Sequence, residues 1–418
     1  MESEFFDISP EILSLADKAL EMTKPVFEEI DSITRHNQLK MLKAFQDARV
    51  SESCFAASTG YGYGDRGREA LDSIFAQVLD TEDALVRHNF ASGTHTLTVA
   101  LFGVMRPGDT MVSVTGAPYD TLQGVIGMGD KKSSGSLKEF GVNYKQLDLL
   151  PDGRVDIEGM KNVITPDTKM VYIQRSRGYS LRPTLLIDDI KEISAAARAL
   201  APDCIVMLDN CYGEFVEREA PGKYVDLMAG SLIKNPGGGI APTGGYIAGK
   251  ASLVEDCSYR LTTPGTGKEI GCTLNHSREL FMGAFSAPHV TGEALKTAVF
   301  TSALFELSGF EVTPRYNERR GDIIQALCLE TADRLVAFCQ GIQAASPIDS
   351  FVTPEPWDMP GYDSKVIMAA GAFTLGSSIE LSADAPLREP FAVWMQGGLN
   401  FHSGMTAALL AAEKMKNL

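Results

Sequence analysis

The chain has 418 residues, 44% of them hydrophobic and 22% charged, with a formal net charge of −16. That length and apolar share suffice for two domains, or one large domain with a cap, around a sizeable core. The acidic balance argues against nucleic acid and anionic membrane surfaces as partners, so an anionic ligand would be held by a local pocket and not by the overall field.

The opening Met1–Asp7 is acidic and has neither the basic nor the apolar region of a secretory leader. Ser9-Pro10 is a helix-start signal, and Ile12, Leu15, Ala16, Ala19 and Leu20 follow at helical spacing. A second helix is expected over 26–49. Together these form an N-terminal helical arm, 1–50. Next comes Thr59-Gly-Tyr-Gly-Tyr-Gly-Asp-Arg-Gly-Arg68, which alternates glycine with tyrosine and charge. It reads as a loop, and its two tyrosines and two arginines favour a binding loop over a flexible linker.

From Glu69 the pattern gives a helix, then a strand at 84–88. The strand runs through Ser92-Gly93-Thr94 into a helix marked by Leu97, Ala100, Leu101 and Val104. A helix N-terminus offers free N–H groups and the positive end of its dipole, which suit a phosphate; an ordinary Ser/Thr cap is the competing reading. Strands at 110–114, 142–147, 169–174 and 204–208 then alternate with helices at 117–123, 156–163 and 186–200. This is the βαβ pattern of a mostly parallel α/β sheet with helices on both faces. In such sheets ligands sit beyond the carboxyl ends of the strands. A large domain over 51–309 is followed by a smaller α+β domain over 310–418. For that domain we expect a helix at 315–330, strands at 334–339, 365–370 and 373–375, and a final helix after Gly404. No apolar run reaches the ~18 residues of a membrane span. Seven cysteines, from Cys54 to Cys339, show no C-x-x-C pairing and read as reduced thiols in a cytoplasmic protein. The histidines show no metal spacing, and no metal is expected.

Two places carry the chemistry. Asp209 follows the apolar strand Cys204-Ile-Val-Met-Leu208, so its carboxylate must be paired or hydrogen-bonded. Lys234 stands three residues after Ser231, ahead of Asn-Pro-Gly-Gly-Gly-Ile-Ala-Pro-Thr-Gly-Gly. A lysine in so tight a loop fits a Schiff base with the aldehyde of pyridoxal 5'-phosphate, and an acid such as Asp209 would keep the cofactor's ring nitrogen protonated. An exposed lysine beside a glycine loop and a structural Asp are the plainer alternatives.

Ser92-Gly93-Thr94, Tyr119, Asp209 and Ser231-x-x-Lys234, in that order, resemble the fold type I pyridoxal-phosphate enzymes, and among them the Cys/Met-metabolism group of cystathionine and methionine lyases. The 60–68 loop, the glycine run at 237–249, Ala287-Pro-His-Val-Thr-Gly-Glu-Ala294 and Gly376-Ser-Ser-Ile-Glu-Leu-Ser-Ala383 are similar to the branch called aluminium-resistance proteins or methionine γ-lyases. The likeness covers nearly the whole chain. It implies the following roles. Lys234 carries the cofactor and serves as base, and Asp209 pairs with the ring nitrogen. Ser92, Gly93, Thr94 and Ser231 hold the phosphate, and Tyr119 stacks on the ring. A Tyr/Arg pair from a neighbouring subunit completes the phosphate site, with Tyr63 and Arg66 the best counterparts and Tyr61 and Arg68 close rivals. Tyr63 or Tyr119 would shuttle a proton. Arg388 is the candidate for the substrate carboxylate.

The implied activity is elimination at a carbon–sulfur bond of an amino acid, in a homodimer or homotetramer with shared sites. The amine of a lysine base must be neutral, and nearby cations such as Arg66 and Arg68 would lower its pKa. An aminotransferase or aldolase-type reaction on the same cofactor is the alternative. A phosphate-binding protein without catalysis is a second one.

Overall fold

The chain is described here from a computed structural model, for residues 4–129, 134–358 and 364–418. The acidic Met1–Ser3 lies outside the described residues. The elements that build the larger layer are α1 (Pro10–Asp47), α2 (Arg66–Val78), β1 (Asp83–Arg87), α3 (Gly93–Val104), β2 (Thr110–Ser113), α4 (Asp120–Ile126), β3 (Asn143–Gln146), β4 (Met170–Gln174), α5 (Ile187–Leu200), β5 (Ile205–Asp209), β6 (Leu227–Ser231), β7 (Gly245–Gly249), α6 (Ala251–Leu261) and α7 (Ser277–Leu307). The strands form one sheet in the order β1-β7-β6-β5-β4-β2-β3, in which only β7 runs antiparallel to its neighbours. Strands β4 to β7 are buried along their whole length. That is why they read as unbroken apolar runs: helices cover both faces. The sheet delivers Gln174, Asp209 and Ser231 side by side at the carboxyl ends of β4, β5 and β6.

The N-terminal arm differs from expectation. One continuous helix, α1, replaces the two expected, and Pro25 sits inside it. Proline removes one helical hydrogen bond at a cost of ~3 kcal/mol. Burial of Ile12, Ala16, Ala19, Ile30, Met41 and Ala44 along one side offsets that loss. Helix α2 also starts earlier than expected. Asp65 caps it by accepting from the Arg68 N–H at 2.9 Å, so Arg66 and Arg68 lie on its first turn and not in the loop. From α2, Asp72 binds the Arg87 guanidinium of β1 at 2.7 Å, both side chains being buried, and takes the Val86 N–H as well.

The smaller layer is an antiparallel sheet of β8 (Glu311–Thr313), β9 (Gln325–Cys328), β10 (Val366–Ala369), β11 (Ser382–Pro386) and β12 (Ala392–Gln396), in the order β10-β11-β12-β9-β8, with helices α8 (Ala332–Ala344) and α9 (Phe401–Met415). Its core also takes in Ile12, Ala16 and Ala19 of α1 and Phe300 and Leu304 of α7. Here three expected elements change. The helix expected at 315–330 is an irregular segment leading into β9. Buried Arg320 donates to Gln325 Oε1 at 2.6 Å there, and Gln325 Nε2 donates to the Pro314 carbonyl at 3.1 Å. The strand expected at 334–339 is helical: Leu335, Phe338, Cys339 and Ile342 form one buried face, and Thr331 caps the start. The strand expected at 373–375 is a turn whose Phe373 and Thr374 N–H groups are held by the Glu380 carboxylate at 2.7 and 2.8 Å. The 156–163 segment forms only a short 3-10 turn, Gly159–Asn162. Among the described residues no helix is long and apolar enough to cross a membrane.

Candidate active site

A cavity of about 420 Å³ opens between the carboxyl ends of β4–β6 and the face of the smaller sheet. Lys234, Asp209, Ser231, Gly93, Thr94 and Tyr119 all line it. Six residues dispersed over 93–234 thus converge because three parallel strands end on one edge and two helices begin there.

Lys234 is placed by the tight turn that follows it. Asn235–Gly237 forms a 3-10 turn, and a Cβ at Gly237 would stand 1.7 Å from the Leu232 carbonyl oxygen. Only glycine fits there. Asn235 is fully buried and donates to the carbonyls of Tyr212 and Glu214, both at 3.0 Å, tying the lysine turn to the segment after Asp209. The lysine Nζ lies 4.0 Å from the centre of the Tyr212 ring, whose hydroxyl meets Ser378 Oγ at 2.9 Å. Burial works against the Lys234 ammonium, but Cys211, Tyr212, Asp209 and Tyr119 favour it more, and the pKa is raised. Arg66 and Arg68, the cations expected to lower it, do not line the cavity of their own chain.

Asp209 accepts from the Cys211 N–H at 3.1 Å and from the Tyr172 hydroxyl at 3.4 Å, and is buried. Ser231 Oγ is buried and has no hydrogen-bond partner among the described residues. It faces the start of α3: a Cβ at Gly93 would lie 3.3 Å from Ser231 Cβ. Ser92 does not line the cavity. It caps α3 by accepting from His95 N–H at 3.0 Å. The Tyr119 N–H donates to Gln174 Oε1 at 2.7 Å, which fixes the entry to α4.

Tyr63 and Arg66 lie outside the cavity of their own chain. Tyr63 is exposed and stacks on Tyr61 with centroids 5.5 Å apart, and exposed Arg66 donates to Ser53 Oγ. Arg68, by contrast, is buried and donates to the carbonyls of Gly62, Gly271 and Glu269, so it shapes the loop. Arg388 does not line the cavity; it is exposed on an adjoining cleft that shares Tyr179 and Trp394 with it. Sequence reasoning missed Gln174, Tyr179, Tyr212, Ser378, Asp384, Trp394 and Gln396, which also line the cavity. Tyr212 stood in view, three residues after Asp209, but its left-handed backbone, φ 69°, has no signal in a tyrosine.

The profile of the family described as methionine gamma-lyase matches residues 12–416. The chain belongs to the methionine gamma-lyase family. Within it, a solved carbon-sulfur lyase involved in aluminium resistance from Clostridium novyi NT is 51% identical, with a TM-score of 0.94 over 98% of this chain and 96% of that one. A protein from Clostridium acetobutylicum, provisionally named a cystathionine beta-lyase involved in aluminium resistance, is 50% identical with a TM-score of 0.95 over 98% and 97%. The uncharacterized protein YnbB of Bacillus subtilis is 47% identical over 93% of both chains. The resemblance read from the motifs and the α/β architecture with a smaller antiparallel layer are thereby both supported.

Near Lys234 lies a second buried acid. Glu214 accepts from the Tyr246 hydroxyl at 2.8 Å, Tyr246 in turn accepts from Asn210, and Asn210 from Arg175. Burial pushes the Glu214 carboxyl from 4.5 up to about 7, against the pull of the Tyr246 hydrogen bond, Lys234 and Arg175. Through that window the folded chain keeps a proton that the unfolded chain has lost. Stability therefore falls as pH rises from about 4.5 to 7, by on the order of 3 kcal/mol from this group. Glu214→Gln should remove that slope, so that urea titrations show the variant gaining on the wild type between pH 5 and pH 8. A gap between the two that is the same at both pH values would contradict it.

Proposed function

We propose that this chain is a pyridoxal 5'-phosphate-dependent carbon–sulfur lyase acting on a sulfur-containing amino acid, by elimination of the cystathionine β-lyase or methionine γ-lyase type. The observation that carries this reading is the convergence of Lys234, Asp209 and the Ser231–Gly93 cradle on one cavity. The residues fit the cofactor. The unpartnered Ser231 Oγ and the first-turn N–H groups of α3, at Gly93 and Thr94, suit its phosphate, with Ser92 setting the helix start. The Asp209 carboxylate suits its ring nitrogen, Tyr119 one face of its ring, and the Lys234 amine its aldehyde. When bound, the cofactor supplies an electron sink for the carbon that loses a proton.

The protein's own groups do the rest. Lys234 takes the α-proton at Nζ and needs to be neutral to do so. The anionic pull of Asp209 on it weakens once that carboxylate is engaged by a cation. Tyr212, whose ring lies against the amine, and Tyr119, which lines the same cavity, would pass the proton toward the leaving thiol. Tyr63 and Arg66, exposed on their own chain, would complete the phosphate site of a neighbouring subunit in a homodimer or homotetramer. Arg388 would meet a substrate carboxylate only if the turn after Pro386 folded toward the cavity. The test is borohydride reduction of the pyridoxal-loaded protein with peptide mapping, followed by a screen of amino acids for thiol and keto-acid release. A reduced adduct on Lys234 with thiol release supports the reading. Transamination without thiol release would favour the aminotransferase alternative.

A further inference from the structure

The smaller sheet turns one face to the cavity. Met368, Asp384 and Trp394 are successive cross-strand partners on β10, β11 and β12, and all three line it, as does Gln396. Residues two apart on a strand share a face, which puts Trp394 and Gln396 together. Asp384 is only 8% exposed. Its Oδ2 accepts from the Tyr179 hydroxyl at 3.1 Å and from Gln396 Nε2 at 3.2 Å. Its Oδ1 is buried without a hydrogen-bond partner among the described residues. Burial pushes this carboxyl upward, with Gln396 and Tyr179 opposing.

A buried carboxyl oxygen lacking a donor is costly. Among the described lining residues the only basic side chain is Lys234, whose neighbours are Tyr212, Cys211, Asp209 and Tyr119. A ligand that enters the cavity with a donor of its own would fill that place. The rings of Tyr179 and Trp394 stand beside the carboxyl, edge to face with centroids 5.5 Å apart. A carboxylate beside aromatic rings is chemistry that receives an ammonium group, through a charge-assisted hydrogen bond and cation–π attraction. An incoming carboxylate would instead meet like charge.

We propose that Asp384, with Tyr179, Gln396 and Trp394, forms a specificity-determining subsite for a protonated amino group on the substrate's side chain. The preferred substrate is then an amino acid with a second, cationic group beyond its sulfur, in place of one ending in a neutral alkyl thioether. This rests on the reading of the cavity as an amino-acid site.

The test is equilibrium binding to the cofactor-loaded protein, by calorimetry, of amino acids without sulfur or a leaving group. L-lysine and L-ornithine are compared with L-norleucine and L-norvaline, which lack the terminal amine, and with the acidic L-2-aminoadipate. At least one diamino acid should bind about tenfold tighter or more than its neutral counterpart. In Asp384→Asn that ratio should fall below about threefold. Equal binding of diamino and neutral ligands by the wild type would overturn the proposal. So would a ratio unchanged in Asp384→Asn. Tightest binding of aminoadipate would also overturn it, marking Asp384 as a protonated donor to an acid. The wild-type comparison needs no variant, so misfolding of Asp384→Asn would leave the test intact. None of these ligands can eliminate a thiol, so their binding order is read independently of whether the chain cleaves carbon–sulfur bonds.

Discussion

Lys234→Ala is expected to lower turnover by about 10³-fold or more and to abolish fixation of pyridoxal by borohydride. No other lysine lines the cavity among the described residues, so no second amine can take over either bonding the aldehyde or removing the proton. The fold should tolerate the change. The turn after Lys234 is held by Asn235 and by the close approach of Gly237 to Leu232, and neither involves the lysine side chain. Lys234→Arg should be as inactive as the alanine variant, because a guanidinium keeps the charge but cannot give up its proton to become a nucleophile. Amino-acid turnover within about tenfold of wild type in either variant would remove Lys234 from the chemistry.

Asp209→Asn should behave differently. Asparagine keeps the size and can still accept from the Cys211 N–H, so the end of β5 stays in place. What disappears is the negative charge that holds a ring nitrogen in its protonated form. Turnover should fall by about 10²- to 10³-fold while pyridoxal phosphate is still taken up and still fixed on Lys234. The Ser231–Gly93 cradle proposed for the phosphate is untouched. Spectroscopic titration of the variant with pyridoxal phosphate, alongside its kcat, checks both halves. A variant that turns over like the wild type would mean that Asp209 only anchors the Cys211 turn.

Much of the larger layer was legible in the chain because its strands are buried on both faces. Runs such as Ile205–Leu208 have a strand length and an apolar composition that leave little choice. The bounds of strand β6 were not legible, since Leu-Met-Ala-Gly-Ser has weak strand preference and is fixed by pairing with β5 and β7. The smaller layer was read poorly for a related reason. Its short strands β8, β11 and β12 gain their stability from cross-strand partners far away in sequence, as in the pairing of Asp384 with Trp394. The α8 helix was mistaken for a strand because its apolar residues also fill a short β-like run, and only its packing distinguishes the two periods.

By itself, the sequence singled out Lys234 and Asp209, which the fold then brings to one cavity. A lysine before a glycine run and an acid after an apolar strand each have few physical explanations. Tertiary structure alone decided what surrounds them. It placed Arg68 as a clamp on loop carbonyls and left Arg66 and Tyr63 exposed. It brought Tyr212 under the lysine and turned Asp384 and Trp394 toward the cavity. Those outcomes depend on contacts between residues more than 100 positions apart, such as Tyr179 with Asp384 and Ser378 with Tyr212. Local periodicity carries no information about such contacts, because they are set by how one sheet packs against another.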